Sequence, residues 1–455
     1  MLVLNRLPDN NLTLTIMNKR IIVIGAGPTG LGAAYRLNEL EHSDFKLFEK
    51  EKYVGGLSAS YHDKKGFIWD AGGHVIHSHF TYFDKVLKKT LKDEKYSHKR
   101  ESFVWIFGRL IPYPLQNHIH FLPLTTFIEC FLGLLKRPNN LKAKNFLGFI
   151  NNNFGEGIAK RFMIPYNQKI WDYPLAKMDF GWIGEKVSTV SPVSALYNAI
   201  MRKKTKSWGP NSKFFYPKYG TGNLWEKLSK NLPKNKVVLS HEIIKIEPDK
   251  KLIHFSKGLE KYDILISTIP INLLIKKLIT KPLWLEKEAK NLVYNTVFLT
   301  GIGVKKRIKN SICWIYFPQP DIPFYRTTYL SNYSPKMTPG PQYSSILTET
   351  TLVNQPDSKK VIAGLINSQI ISREDVAKIV SIWTKKIEYA YPIPTLERDT
   401  TLEKIQNYLE KKSIFSRGRF GAWKYEISNM DHSFMQGVEV VDRILLNKNE
   451  TVWSL

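Results

Sequence analysis

Cysteine is nearly absent from this 455-residue chain, which has only Cys130 and Cys313. Two thiols exclude a Cys-based zinc module and a disulfide-dense extracellular scaffold, and they suit a reducing compartment, so a cytoplasmic protein is expected. Long apolar runs are also lacking, and none reaches the roughly 18 residues that a membrane span requires. The longest candidate, Phe121 to Leu135, is interrupted by Thr125, Thr126 and Glu129 and is expected as a buried helix. Met1 to Met17 carry Arg6, Asp9 and three asparagines without a sustained apolar stretch, which does not read as a secretory signal. Acidic residues are scarce, 40 against 67 basic ones, for a net charge of +27. Only 15 of the basic residues are arginines, and the lysines are scattered without a basic tail. No RNA-binding signature, zinc finger or basic helix accompanies them, so the charge is assigned to solvated surface and anionic small ligands, with no nucleic-acid or membrane partner.

What is present suits a globular protein of two or three domains: 43% hydrophobic, 13% aromatic and 24% charged residues, enough to bury several cores. Arg20-Ile-Ile-Val-Ile-Gly25 is a short β-branched run ending in Gly25-Ala-Gly27-Pro-Thr29-Gly30, and Leu31 to Leu40 reads as a helix. Strand, glycine loop and helix in that order are the context of a dinucleotide fingerprint. Gly25 allows the tight turn, Gly27 the approach of a pyrophosphate and Gly30 close helix packing, with the helix N-terminus facing the phosphates. Glu49 closes a second strand-like run, Phe45 to Glu49, and is placed to accept from a ribose hydroxyl. FAD and NAD share these features. A second glycine pair, Gly55-Gly56-Leu57-Ser58, supplies the further backbone approach that the longer FAD would need.

Val237 to Glu247 and Lys251 to Phe255 read as strands joined by a turn, and Tyr262 to Pro270 as a buried strand, so the chain returns to the nucleotide sheet after a long excursion. Near the C-terminus, Gly418-Arg419-Phe420-Gly421 precedes a helical pattern with Phe434, Val438, Val441 and Leu445 on one face. Asp431 or Ser433 is expected to cap it. Aimed at a flavin pyrimidine, that helix N-terminus would stabilise a reduced flavin's negative charge.

The strings GAGPTGLGAAYRL, VGGLSAS, DAGGHVIHSH, PYPLQN, PYNQKIWDYP, CWIYFPQPDIPFYR, YPIPTLER and SRGRFGAWKYEISNMDHSFMQGVEVVD together resemble the flavin-dependent UDP-galactopyranose mutases, of the eukaryotic type, from about Lys19 to Leu446. The resemblance implies an α/β fold: a discontinuous Rossmann-like FAD-binding domain with a helical domain and an antiparallel sheet domain. Placed on this sequence, residues 1–16 are a dispensable tail, and 17–99, 207–291 and 396–455 form the FAD domain. Residues 100–121 give sheet strands and a uridine-site segment, 122–206 the helical substrate domain and 292–395 the sheet substrate domain. The implied activity is interconversion of UDP-galactopyranose and UDP-galactofuranose without net redox change, through a covalent adduct of the sugar with N5 of reduced FAD. NADH or NADPH is the implied reductant.

Residue by residue, the resemblance implies that Arg326 grips the pyrophosphate, aided by a second cation at Lys186, where the family carries an arginine. Tyr316, Tyr391 and Tyr425 would line the diphosphate and sugar, with Tyr333 in a mobile rim. Tyr113, Gln116, Phe162, Asn167 and Trp171 would form the uracil and ribose wall, with Asn211, Trp314 and Asn429 near the galactose. Arg419 would lie beside the FAD pyrophosphate, and Asn429 and Ser433 at the cofactor. Gly72-Gly73-His74 would form the loop under the flavin, where a backbone carbonyl can accept from N5–H of the reduced ring.

His74, His77 and His79 are spaced so that a metal could be considered. No nearby carboxylate or cysteine cluster accompanies them in sequence, so none is expected. Asp263 and Glu349 stand as lone carboxylates in apolar runs. Two other readings compete: an FAD-dependent amine oxidase or protoporphyrinogen oxidase-like oxidoreductase, and a non-catalytic nucleotide-sugar or nucleic-acid binder.

Overall fold

The computed structural model describes residues 19–138, 142–184, 187–201, 212–351 and 354–453. The expected tail 1–16, Lys186 and Asn211 therefore lie outside the described residues. Ile21–Ile24 is apolar at every position and fully buried, which suits a strand covered on both faces. It forms the centre of a parallel five-stranded sheet in the order Ile414–Ser416, Ile264–Ser267, Ile21–Ile24, Phe45–Phe48, Val237–Val238. Three widely separated stretches of chain thus build one nucleotide sheet.

The helix Pro28–Glu39 follows the first strand with Pro28 in its first turn, where the fixed proline φ costs no hydrogen bond. The long helix Met430–Leu446 packs tightly on it. A Cβ on Gly437 would sit 1.9 Å from the Thr29 carbonyl oxygen, and one on Gly32 2.3 Å from that of Phe434. Two bare backbones therefore set the spacing of these helices.

A seven-stranded sheet runs in the order Ile379–Pro392, Tyr294–Val304, Ser344–Thr351, Arg326–Tyr329, Trp314–Tyr316, Ser102–Ile106, Arg109–Pro112. All pairs are antiparallel except Trp314–Tyr316 with Ser102–Ile106, a parallel pair that the long intervening chain makes possible. The sheet is therefore mixed rather than wholly antiparallel.

The helices Leu124–Lys136, Phe146–Ile158, Ile164–Trp171 and Pro192–Ile200 form a layer with its own apolar core. Leu124–Lys136 is not the buried helix expected. Thr126, Cys130 and Leu134 pack inward on one row, while Leu124 is 73% and Leu135 56% exposed. The inward row meets Phe146–Ile158 so closely that a Cβ on Gly157 would lie 2.6 Å from the Cys130 Cα. The run from Val237 to Glu247 also differs from expectation. Ser240, at φ +58°, breaks it, so that Val237–Val238 joins the parallel sheet while Ile243–Glu247 forms a hairpin with Leu252–Phe255. Among the described residues, no helix is long and apolar enough to cross a membrane.

Candidate active site

The glycine turn closes on itself beneath the first helix. Gly25 has φ +93°, a backbone that favours glycine, and a Cβ on Gly30 would lie 1.8 Å from the Gly25 carbonyl oxygen. Gly55 (φ +106°) donates its N–H to the Ala26 carbonyl at 2.8 Å, which brings the second glycine pair against the first. A Cβ on Gly56 would come within 3.2 Å of the Gly27 Cα. The two loops thus present bare backbone to each other at a helix N-terminus, a cradle that fits a pyrophosphate. Glu49 is buried and accepts from the Ala26 N–H (2.7 Å) and the Glu51 N–H (3.0 Å), which fixes its carboxylate against the glycine turn. Burial raises its pKa. Leu57 packs on the core below the sheet, and the Ser58 carbonyl accepts from Thr221.

Arg419 donates to the Ala390 carbonyl at 3.0 Å and to the carbonyl and hydroxyl of Ser428, and its guanidinium lies over the rings of Tyr391 (5.1 Å) and Tyr425 (5.7 Å). Two residues earlier, Arg417 is fully buried against Glu450 and Glu410. Arg417 is a structural ion pair; Arg419 is held by neutral groups beside Tyr391 and Tyr425, and desolvation lowers its pKa.

Sheet register explains the centre of the site. Arg326 pairs directly with Tyr316 on one neighbouring strand and with Glu349 on the other, so all three side chains rise from the same face. Glu349 Oε1 accepts from Arg326 Nε (2.8 Å) and from the Gly73 N–H (3.0 Å). Its Oε2 accepts from Arg326 Nη2 (2.7 Å) and the Tyr325 hydroxyl (2.7 Å). One carboxylate, 2% exposed, therefore holds both the arginine and the loop Gly72-Gly73-His74. A Cβ on Gly73 would meet Thr328 Oγ1 at 2.4 Å and Arg326 Cζ at 3.4 Å. Loss of water drives the His74 imidazole down to about pKa 4, so it is neutral at physiological pH, and its buried Nδ1 has no hydrogen-bond partner.

An aromatic wall adjoins this row. Tyr316 touches Tyr113 (ring centroids 5.0 Å) and Tyr166 (5.3 Å), and Tyr166 stacks on Phe162 (5.3 Å). Trp171 meets Tyr425 (5.1 Å) and Tyr391 (6.0 Å), while Trp314 lies 6.5 Å from Tyr316. Gln116 donates to the Ser188 carbonyl and leaves its buried Oε1 without a partner, an acceptor that suits a donor from a base. Asn167 donates to the Met163 carbonyl of its own helix. Tyr333 is 1% exposed, packed on Tyr216 at 4.8 Å and on Phe214, rather than standing in a rim. It lies in an apolar cluster with Leu330, Met337 and Leu347 as well as these rings, which draws it into the core.

The expected cap of the last helix is also corrected. Asn429 occupies the N-cap, with its carbonyl accepting the Ser433 N–H (2.8 Å) and no side-chain cap bond. Ser433 lies buried within the first turn, and Asp431 turns its carboxylate to His79 and His432 instead. Sequence reasoning missed Glu349 as a site residue, along with Tyr325, Thr328 and Tyr166. The one available signal was a lone acid among the hydroxyl and aliphatic residues of Ser344–Thr351, a strand buried at every position, where a carboxylate demands a partner.

Residues 28–381 match the flavin containing amine oxidoreductase family. The crystal structure of a reduced UDP-galactopyranose mutase is 39% identical, covers 96% of each chain and superposes with a TM-score of 0.92. A CLA-producing fatty acid isomerase from P. acnes is 15% identical over 94% of this chain and 99% of that one, with a TM-score of 0.62. A putrescine oxidase triple mutant is 12% identical over 94% and 99%, with a TM-score of 0.64. These last two share the fold alone. The chain belongs to the flavin-containing amine oxidoreductases and, within them, to the UDP-galactopyranose mutase family.

Proposed function

We propose that this chain interconverts UDP-galactopyranose and UDP-galactofuranose on reduced FAD with no net redox change, as a mutase of the eukaryotic type, with NADH or NADPH as reductant and in a cytoplasmic setting that suits its two free, buried cysteines. The observation that carries the reading is the Glu349 carboxylate, which ties a guanidinium on the sheet to the loop of the flavin site. When bound and reduced, FAD supplies an electron-rich N5 nucleophile to this site. The chain's own residues do the rest. Arg326 stands where charge develops as the bond from the sugar to UDP breaks; Glu349 holds its Nε and Nη2, so the guanidinium is fixed in advance and Nη1 is the nitrogen left to meet a phosphate. Tyr316, Tyr391 and Tyr425 enclose the sugar side and exclude water that would hydrolyse it. Tyr113, Phe162, Trp171 and the Gln116 acceptor provide stacking and a polar contact for the uridine.

An amine oxidase reading has the shared fold in its favour, but Arg419, held by carbonyls and a hydroxyl beside Tyr391 and Tyr425, presents a cation that repels a cationic amine. The test is incubation with UDP-galactofuranose under dithionite followed by chromatography. Formation of UDP-galactopyranose supports the reading, whereas no conversion with steady oxygen uptake on amines contradicts it.

A further inference from the structure

Outside the flavin and substrate residues, one cluster of side chains has the composition of a metal site. Asp431 in the first turn of the helix Met430–Leu446 directs each carboxylate oxygen at a different histidine. Its Oδ2 is 2.8 Å from His79 Nδ1, and its Oδ1 is 3.1 Å from His432 Nδ1. The three ligand atoms all lie within 4.8 Å of one another. The His79 and His432 rings are 5.0 Å apart, and His77 stands edge-on to His79 at 5.1 Å as a further imidazole. Asp431 is 1% exposed, but the His79 side chain is 32% and the His432 side chain 13% exposed, so an ion can enter from solvent.

We propose that His79, Asp431 and His432 bind one divalent transition-metal ion of the zinc class. Two imidazole nitrogens with one carboxylate suit zinc, nickel or copper and disfavour magnesium and calcium, which take all-oxygen shells. On binding, the ion takes the place between each Nδ1 and the carboxylate; a neutral ring moves its Nδ1 proton to Nε2 by exchange with solvent, and a protonated ring releases its Nδ1 proton to solvent. Three protein ligands leave a position for water, or for His77 after a small movement. The ion would clip the segment that follows Gly72-Gly73-His74 to the last helix, two stretches otherwise about 350 residues apart in sequence.

The test uses tag-free FAD-loaded holoenzyme, stripped with EDTA, desalted and titrated with zinc chloride by calorimetry. One saturable zinc per chain at micromolar concentration is expected, with a rise in melting temperature. His432→Ala and Asp431→Asn should each weaken it by more than the roughly 10- to 100-fold that loss of a supporting partner costs. His120→Ala, outside the cluster, should leave it intact. Asp431→Asn keeps the shape of the side chain, and the flavin spectrum reports folding in every variant. No saturable event at micromolar zinc, or equal affinity in folded Asp431→Asn and His432→Ala, would overturn the assignment.

Discussion

Arg326 and Glu349 stand opposite each other on neighbouring antiparallel strands and meet in a two-point fork at 2.7 and 2.8 Å. The carboxylate is buried and the guanidinium largely shielded, so neither charge is dispensable while the other remains. Glu349→Gln keeps the shape but strips Arg326 of its counter-ion, and breaking such a pair costs about 3–5 kcal/mol. A melting temperature several degrees lower and at least a tenfold loss of turnover are expected, with flavin still bound. Unchanged values of both would contradict the coupling.

Arg326→Ala should lose roughly 10²-fold or more in turnover, on the order of 3 kcal/mol, since one preorganised donor near a developing charge is worth about that much. Arg326→Lys should recover only part of it, because an ammonium cannot make the fork. Steady-state kinetics on the dithionite-reduced protein check both variants.

Gly73→Ala places a methyl 2.4 Å from Thr328 Oγ1, in a site that cannot widen without moving Arg326 or Glu349. Turnover should fall more than flavin content. Thr328→Ala removes the obstructing atom, so the double variant should recover activity relative to Gly73→Ala alone. Failure of that rescue would show that the loop is limited by something other than this contact.

His74 gives a pH dependence whose sign follows from its environment. Its folded value, about 4, lies below the ordinary 6.5, because burial disfavours the charged ring. Between those values the unfolded chain binds a proton that the folded chain does not. The stability tied to His74 is therefore complete above pH 6.5 and lost as pH falls toward 4. NMR of histidine-labelled protein should show His74 neutral at pH 5.5; a ring protonated there would contradict the assignment.

Gly437→Ala tests the helix pair that supports the cofactor cradle. Its methyl would fall 1.9 Å from the Thr29 carbonyl oxygen, so the helices must part, and overpacking of this kind costs about 1–3 kcal/mol. Thermal melts and flavin content after gel filtration should both decrease. A variant that melts and retains flavin like the parent would show that the crossing has slack.

Local features of this chain were legible in its sequence because their causes are local. Gly25, Gly27 and Gly30 lie in one turn, and the β-branched run before them identifies a buried strand whatever happens elsewhere. The link between Arg326 and Glu349 was not legible, because it depends on strand register across a sheet; Glu349 reads only as an isolated acid until the strand is placed. The same holds for Asp431, which looks like a helix cap until the fold brings His79 beside it. Leu124–Lys136 was misread because its apolar composition hides a narrow inward row of Thr126, Cys130 and Leu134.

The central claim is that reducing equivalents are required but not consumed. Anaerobic protein photoreduced to one two-electron equivalent per flavin, with no excess reductant, should convert at least about a hundred UDP-galactofuranose molecules per flavin, on the scale of ordinary turnover numbers, while its spectrum stays that of reduced flavin. Product limited to one per flavin, or substrate-driven return of the oxidised spectrum, would contradict the mutase account.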